Sequence, residues 1–193
     1  MCVYNPRAYE KAASFCSSIK ARLIETFLAP YQAEERLYQT YRRRIEIDFA
    51  AVDDLQAAAE EADIILTATP SRQPLIRQEW VKPGTHLSCV GADMEGKQEI
   101  DEHLFAKARV FVDDVTQAAQ AGETEIAVKK GIIAKGDIAG EIGSVILGKT
   151  PGRLSQEDIT LFDSTGIALQ DLITADYVLQ QAEEKGLGMV AYL

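Results

Sequence analysis

Residues 89–101 read CVGADMEGKQEID. An apolar strand over Leu87–Val90 runs into Gly91 and Ala92, which carry almost no side chain, and then presents Asp93 ahead of a glycine turn at Gly96. A carboxylate at a strand end, behind two residues that small, leaves room for a ligand to come close. Other residues with chemical capacity read differently. Asp113-Asp114 resembles a metal pair, but no further ligand lies nearby, so a strand end followed by a helix cap is the better reading. Ser164 has no histidine at nucleophile spacing, which excludes a hydrolase serine. His86 sits on an alternating strand and reads as structural, and His103 sits on an exposed helix turn. The three cysteines, Cys2, Cys16 and Cys89, lack metal-ligand spacing, and their odd number argues against a disulfide framework. Cys16 on an apolar helix stripe and Cys89 inside an apolar strand read as small core residues.

The elements that must position these groups alternate between strand and helix. CVYN is a very short strand stopped by Asn5-Pro6, where Asn5 suits a helix N-cap and Pro6 the first turn. Ala8, Ala12, Phe15, Cys16, Ile19 and Leu23 then recur at helical spacing. Residues 24–44 are polar-aromatic, interrupted by Pro30, and read as an inserted helical excursion. IEIDF alternates like a strand, and Asp53 is placed to cap DLQAAAEEA with Gln56 as its capping-box partner. DIILTATP is nearly continuous in apolar residues, the mark of a strand buried on both faces of a parallel sheet. THLSCVGAD repeats that pattern, followed by a short helix near 101–108 and the strand RVFVDD.

Residues 115–148 read as short helices broken by glycines, and DITLFDSTG as one more strand. A helix over 167–185 is apolar around much of its circumference and should be covered from more than one side. Gly186 ends it, and LGMVAYL closes the chain as a strand. This order gives an α/β fold with a parallel sheet and right-handed crossovers. Ligands of such sheets bind beyond the carboxyl ends of the strands. Four of those ends carry suggestive residues: Asn5-Pro6-Arg7, Thr67-Ala68-Thr69-Pro70, Gly91-Ala92-Asp93 and Asp163-Ser164-Thr165-Gly166. The convergence names a place and leaves the reaction open.

Composition narrows the classes. The 193 residues are 47% hydrophobic and 26% charged, with 20 Lys and Arg against 30 Asp and Glu, a net of −10. An acidic chain repels phosphate backbones and anionic lipid, so nucleic acid and membrane surfaces are excluded as partners. Arg42-Arg43-Arg44 sits among tyrosines and glutamates and reads as a solvated helix face. Neither a membrane-length apolar run nor a signal-peptide pattern is present, and the expectation is a soluble, cytoplasmic protein.

Four segments together resemble the ornithine cyclodeaminase/mu-crystallin family, which includes an archaeal type of alanine dehydrogenase and ketimine reductases. They are ADIILTATPSRQPLI, THLSCVGADMEGKQEID, ARVFVDD and DITLFDSTGIALQDLITADYVLQQAEEKGLG. The resemblance covers roughly 1–23 and 45–193. It implies a Rossmann-type lobe binding NAD or NADP, over residues 1–148 with 24–44 as an insertion. Residues 149–193 would form a strand, a long helix and a strand returning toward a second lobe.

The resemblance also implies an activity, amino-acid or imino-acid oxidoreduction or cyclodeamination, with Asp93 as the acid/base beside the substrate α-carbon. Gly91 and Ala92 would then be small so that the nicotinamide lies against the backbone, and partial burial would shift the Asp93 pKa for acid–base work. Thr67, Val90, Gly91, Ala92, Lys97 and Ser164 take cofactor positions, and Thr165 a substrate position. Asn5 stands where an acidic residue grips the ribose in NAD-preferring relatives, and Arg7 tilts the expectation toward NADP through its 2′-phosphate.

The chain also departs from that pattern. No G-x-G-x-x-G occurs after a strand, and the glycines of GDIAGEIG follow helical spacing instead. The first Rossmann strand, its glycine loop and the family's N-terminal substrate lobe have no counterpart, so the chain reads as N-terminally truncated. Three functions follow: an NAD(P)-dependent enzyme of amino-acid metabolism, a mu-crystallin-like NADPH and small-ligand binding protein, or a shortened chain that catalyses nothing. Without the glycine loop the chain alone should bind NAD(P)H weakly. With its apolar helix and free strand edges it should form homo-oligomers.

Overall fold

The computed structural model describes residues 1–189 and divides them into two compact units, split between Glu61 and Ala62. In the first unit, β1 (Cys2–Val3) leads into α1 (Tyr9–Arg22), α2 (Glu35–Ile45), β2 (Ala50–Ala51) and α3 (Leu55–Glu61). β1 and β2 pair in parallel, Cys2 with Ala50 and Val3 with Ala51. Of IEIDF itself, residues 46–49 join no ladder, because the two-residue β1 pairs only with Ala50 and Ala51.

Two expected caps move. The Asn5 carboxamide oxygen accepts from Arg7 N at 2.9 Å and Ala8 N at 3.1 Å, closing a turn three residues ahead of α1, whose own N-cap is Ala8. At α3 the capping group is Asp54, which accepts from Ala57 N at 2.9 Å; Asp53 stands one residue too early. In the expected insertion α1 runs on into a π-turn (Leu23–Phe27) and a 3₁₀ turn (Ala29–Tyr31) that holds Pro30. Phe27, Tyr31 and Tyr41 pack their rings with centroids 4.8–6.0 Å apart, and Leu28 and Ile45 are buried. Aromatic contacts of this kind explain how so polar a segment acquires apolar packing of its own.

The second unit carries the sheet. Its strands are β3 (Ile64–Thr67), β4 (Arg72–Ile76), β5 (His86–Cys89), β6 (Gln98–Ile100), β7 (Ala108–Val112), β8 (Gly140–Glu141) and β9 (Ile159–Asp163). Five of them form one parallel sheet in the order β3-β5-β9-β7-β8, and β4 and β6 pair separately, also in parallel. Sequence reading missed that second pair: Pro74 breaks the apolar pattern of β4, and Gln98 and Glu99 in β6 are buried polar residues. The short helices α4 (Val115–Ala118), α5 (Glu125–Lys129) and α6 (Ile142–Ile146) fill the glycine-punctuated region, and α7 (Ala168–Glu184) is the long helix.

The core lies on β5, β7 and β9, where Leu87, Val110, Val112 and Leu161 are essentially inaccessible, with Ile100, Leu104 and Phe105 beside them. β3 is not buried on both faces. It is the edge strand, and while Ile65 and Thr67 are buried, Ile64 and Leu66 are 72% and 62% exposed. Among the described residues the expected cover on α7 is also missing: no residue of the helix is buried, and Leu172 and Tyr177 are each more than 60% exposed. Of the expected closing strand, residues 190–193 lie outside the described residues and 187–189 form no ladder. No helix among the described residues is long and apolar enough to cross a membrane.

The reassigned cap is directly testable. Asp54→Ala should destabilise the fold by about 1 kcal/mol in urea denaturation, whereas Asp53→Ala should change it by no more than a few tenths.

Candidate functional site

The site begins with the sheet register. Thr67 pairs with Cys89, Cys89 with Asp163, and Asp163 with Val112, so the last residues of β3, β5, β9 and β7 form one row. One step beyond it, Val90 N donates to Thr67 O and Ser164 N donates to Cys89 O, both at 2.9 Å. Thr67, Val90, Gly91, Ala92, Ser164 and Thr165 are thereby gathered at one end of the second unit. Asn5 and Arg7 belong to the first unit, Asn5 half-buried with its oxygen committed to the turn and Arg7 exposed.

Asp93 stands just beyond β5, exposed, and its carboxylate pairs with the largely buried Lys97 ammonium four residues on. That bond holds the Asp93 carboxyl below the usual aspartate range, opposite to the expected shift by burial, because the carboxylate is exposed and has a cation at hydrogen-bond distance. The smallness of Gly91 also has another cause. A Cβ there would lie 2.4 Å from both Thr69 O and the Glu99 carboxylate, so the β3 and β5 loops require glycine to pass each other. Ala92 points inward and is buried, while Val90 and Met94 are exposed apolar side chains beside the loop.

Beyond β9 the loop is held from β7. Asp113 accepts from Thr165 Oγ1 at 2.9 Å, Gly166 N at 2.8 Å and Ser164 Oγ at 3.4 Å. Thr165 is buried with its hydroxyl in that bond. Asp114 caps α4 by accepting from Gln117 N at 2.7 Å, so the aspartate pair serves backbone and hydroxyl donors. No group of three or more His, Cys, Asp or Glu is arranged to hold a metal among the described residues. His86 bonds Thr160 Oγ1 through Nδ1 at 2.8 Å, and burial with the nearby Arg153 charge lowers its pKa.

The profile of the Ornithine cyclodeaminase/mu-crystallin family matches residues 7–186, nearly the whole chain. The chain belongs to that family. It is 48% identical over 133 residues to alanine dehydrogenase of Archaeoglobus fulgidus, covering 67% of this chain and 41% of the relative. Among solved structures, an archaeal alanine dehydrogenase dimer with bound NAD superposes with a TM-score of 0.70 at 40% identity, covering 82% of this chain and 49% of that one. Δ1-pyrroline-2-carboxylate reductase of Thermococcus litoralis, in complex with NADH and L-proline, gives a TM-score of 0.80 at 27% identity, covering 98% and 52%. The chain therefore spans about half the length of the relatives it matches. The parallel sheet is the Rossmann-like sheet of these family members.

Sequence reading missed the buried carboxylates of this family member. Glu99, Glu123, Glu125 and Asp163 are at most 2% exposed. Glu99 accepts from Thr69 N at 2.6 Å, Thr124 donates N–H and hydroxyl to Asp163 at 2.8 and 2.6 Å, and Glu99 Oε2 and Asp163 Oδ1 have no partner. Thr67 Oγ1 is likewise buried without one. Burial lifts the Glu123 carboxyl to about 8 and Asp163 to about 6, backbone donors offsetting part of each rise and neighbouring carboxylates adding to it. Burial, with Glu123 and Asp163 close by, also pushes the Cys89 thiol well above its usual range. In a chain with 30 acidic residues nothing in the local pattern separates these from solvated ones.

These shifts fix a pH dependence. A raised carboxyl is protonated in the folded chain at a pH where the unfolded one, near 4.5 for glutamate, has ionised. Folding then takes up protons, and stability is lost as pH rises toward the folded values of about 6 and 8. Asp93 and Glu102, whose values are lowered, act below that window. Thermal unfolding should show a falling midpoint from about pH 5.5 to 8, at roughly 1 kcal/mol per pH unit, with Glu123→Gln flattening the upper half. A midpoint that rises with pH would contradict the assignment.

Proposed function

We propose that this chain is the cofactor-side half of an NAD(P)-dependent oxidoreductase acting on a small amino acid or its imino acid, with Asp93 as the proton-transfer group. The observation that carries this reading is the exposed Asp93 carboxylate, paired with the largely buried Lys97 at the carboxyl end of a central parallel strand beside the Ser164–Thr165 loop. Residues 1–148 form the cofactor lobe and 149–193 return toward the substrate lobe.

The residues suit one half of the cofactor. Val90 offers an exposed apolar surface for a flat ring, and the unpartnered Thr67 hydroxyl is a polar group of the kind a ligand satisfies. Val90, Gly91, Ala92 and Ser164 line the nicotinamide side, Thr67 stands toward the adenosine and pyrophosphate, Lys97 reaches the cofactor, Asn5 and Arg7 meet the ribose, and Thr165 faces the substrate from the loop held by Asp113. Arg7 favours the 2′-phosphate of NADP, whereas the related structures hold NAD and NADH. For the pyrophosphate the sequence has no glycine fingerprint. The cofactor supplies hydride exchange at the substrate α-carbon.

Asp93, ionised at neutral pH through Lys97, accepts the proton that leaves the amino acid and returns it in the reverse direction. Lys97 holds that carboxylate in place. The protein works as a homo-oligomer, as the dimeric relative does, in the cytoplasm, where its free cysteines Cys2, Cys16 and Cys89 stay reduced.

Steady-state NADH and NADPH oxidation, with 2-oxo acids plus ammonia and with cyclic imino acids, tests this on the protein that carries the chain. Asp93→Asn should lower turnover by about 10²–10⁴-fold while cofactor affinity is kept. An unchanged rate removes Asp93 from the mechanism. NADPH binding without turnover of any such substrate favours the mu-crystallin-like binding function.

A further inference from the structure

The loop that presents Asp93 and Lys97 has few anchors of its own. Between Asp93 and β6 its internal bond is Lys97 N to Met94 O at 3.3 Å, and Gln98 N donates across to Ser71 O at 3.0 Å. Arg72 Nη1 donates to Glu95 O at 3.4 Å and Lys129 pairs with the Glu95 carboxylate at 2.7 Å, and a further set of anchors comes from one four-residue turn, Gly122–Glu125, about 25 residues along the chain. Glu123 accepts from Glu99 N at 2.8 and 3.0 Å, one distance to each carboxylate oxygen, and from Ile100 N at 2.5 Å. Glu125 accepts from Gly96 N at 2.8 Å.

The same turn grips the loop beyond β9. Thr124 donates twice to Asp163, and Gly122, at φ +113°, lies so close that a Cβ there would be 2.4 Å from Thr165 Cγ2. One backbone N–H of the Asp93 loop, two of the strand β6 into which it runs, and the first residues of the Ser164 loop are thus fixed against this segment. Each donor would otherwise be buried or half-buried without a partner.

We propose that the Gly122–Glu125 turn is the positioning device of this site, and that Glu123 is the positioning residue that sets the Asp93–Lys97 pair against the Ser164–Thr165 loop. The catalytic consequence rests on the reading of Asp93 given above; the clamp on the loop does not. Glu123 itself touches no reacting atom. It acts through the amides of Glu99 and Ile100, and through them on the segment that begins at Asp93. Because burial keeps its carboxyl protonated near neutral pH, glutamine replaces it with little change of charge, while alanine removes the acceptor.

Two measurements on the 193-residue chain test the clamp without any activity: a ¹³C NMR titration of the Asp93 carboxyl, and amide hydrogen exchange. In Glu123→Ala, exchange at Glu99 and Ile100 should quicken by more than about tenfold relative to the core amides of Leu87 and Leu161. Asp93 should titrate higher than in the parent chain, toward an ordinary aspartate, as Lys97 loses its place. Glu123→Gln should restore both. Should the alanine variant fail to fold, Glu125→Ala removes the acceptor for Gly96 N, together with one carboxylate partner of Lys129, and should raise the Asp93 midpoint in the same way. Removing a nearby negative charge would by itself lower that midpoint, so a rise reports lost position.

An unchanged Asp93 titration in a folded Glu123→Ala or Glu125→Ala chain overturns the proposal. Kinetics separate this from the functional reading. If the protein turns over amino or imino acids, Glu123→Ala should lower kcat by about tenfold or more with NAD(P)H affinity kept, and Glu123→Gln should recover it. A kcat unaltered by Glu123→Ala refutes the positioning role, whereas a parent protein without turnover refutes the proposed function and leaves the titration to decide the clamp.

Discussion

A carboxylate taken out of water must find donors or a proton, since an unpaired charge in the interior costs several kcal/mol. Glu123 and Asp163 meet that demand with backbone N–H groups and with protons held at raised pKa, and their donors belong to loops that would otherwise have to find acceptors elsewhere. Two requirements therefore satisfy each other. The result is a strand-end region in which the segments after β5 and β9 are fixed by what is buried beneath them. Gly91 belongs to the same economy of space, because any larger residue there would strike Thr69 and Glu99.

Charge is graded from the inside outward. Beneath the strand ends Glu123 and Asp163 lie close to the Cys89 thiol with no cation among the causes of their raised values, and protons serve in place of countercharges. Nearer the surface lysines take over. Lys97 pairs with Asp93, and Lys129 bridges Glu95 and Glu125. Glu123 and Asp163 hold protons, whereas Asp93, Glu95 and the buried Glu125 are met by lysine ammonium groups.

The sequence disclosed the parallel sheet, the long helix and the row of strand ends because each rests on a local pattern: apolar runs, helical spacing, glycine stops. It misjudged features set by tertiary neighbours. DIILTATP has the composition of a central strand and lies at the edge, since strand order is decided by long-range pairing and not by the run itself. Asp53 and Asp54 are indistinguishable by type, and only the start of α3 selects Asp54. The Asp93 loop was visible as a carboxylate behind two small residues. The acids that hold it were not, because burial and hydrogen bonding distinguish Glu123 from a surface glutamate and neither is written in its neighbours.

The account as a whole claims that the ligand end of this sheet is the carboxyl end of β3, β5 and β9. The most direct test is an NMR titration of the ¹⁵N-labelled chain with NADH, which registers weak binding residue by residue. The account predicts that the amides of Thr69, Val90, Gly91, Ala92, Ser164 and Thr165 shift together. At the other ends of the strands lies a cleft of about 520 Å³, lined by Lys107, Arg109, Asp137, Leu154 and Asp158 among others. Shifts confined to that cleft, with the strand-end amides unmoved at saturating NADH, would contradict the account.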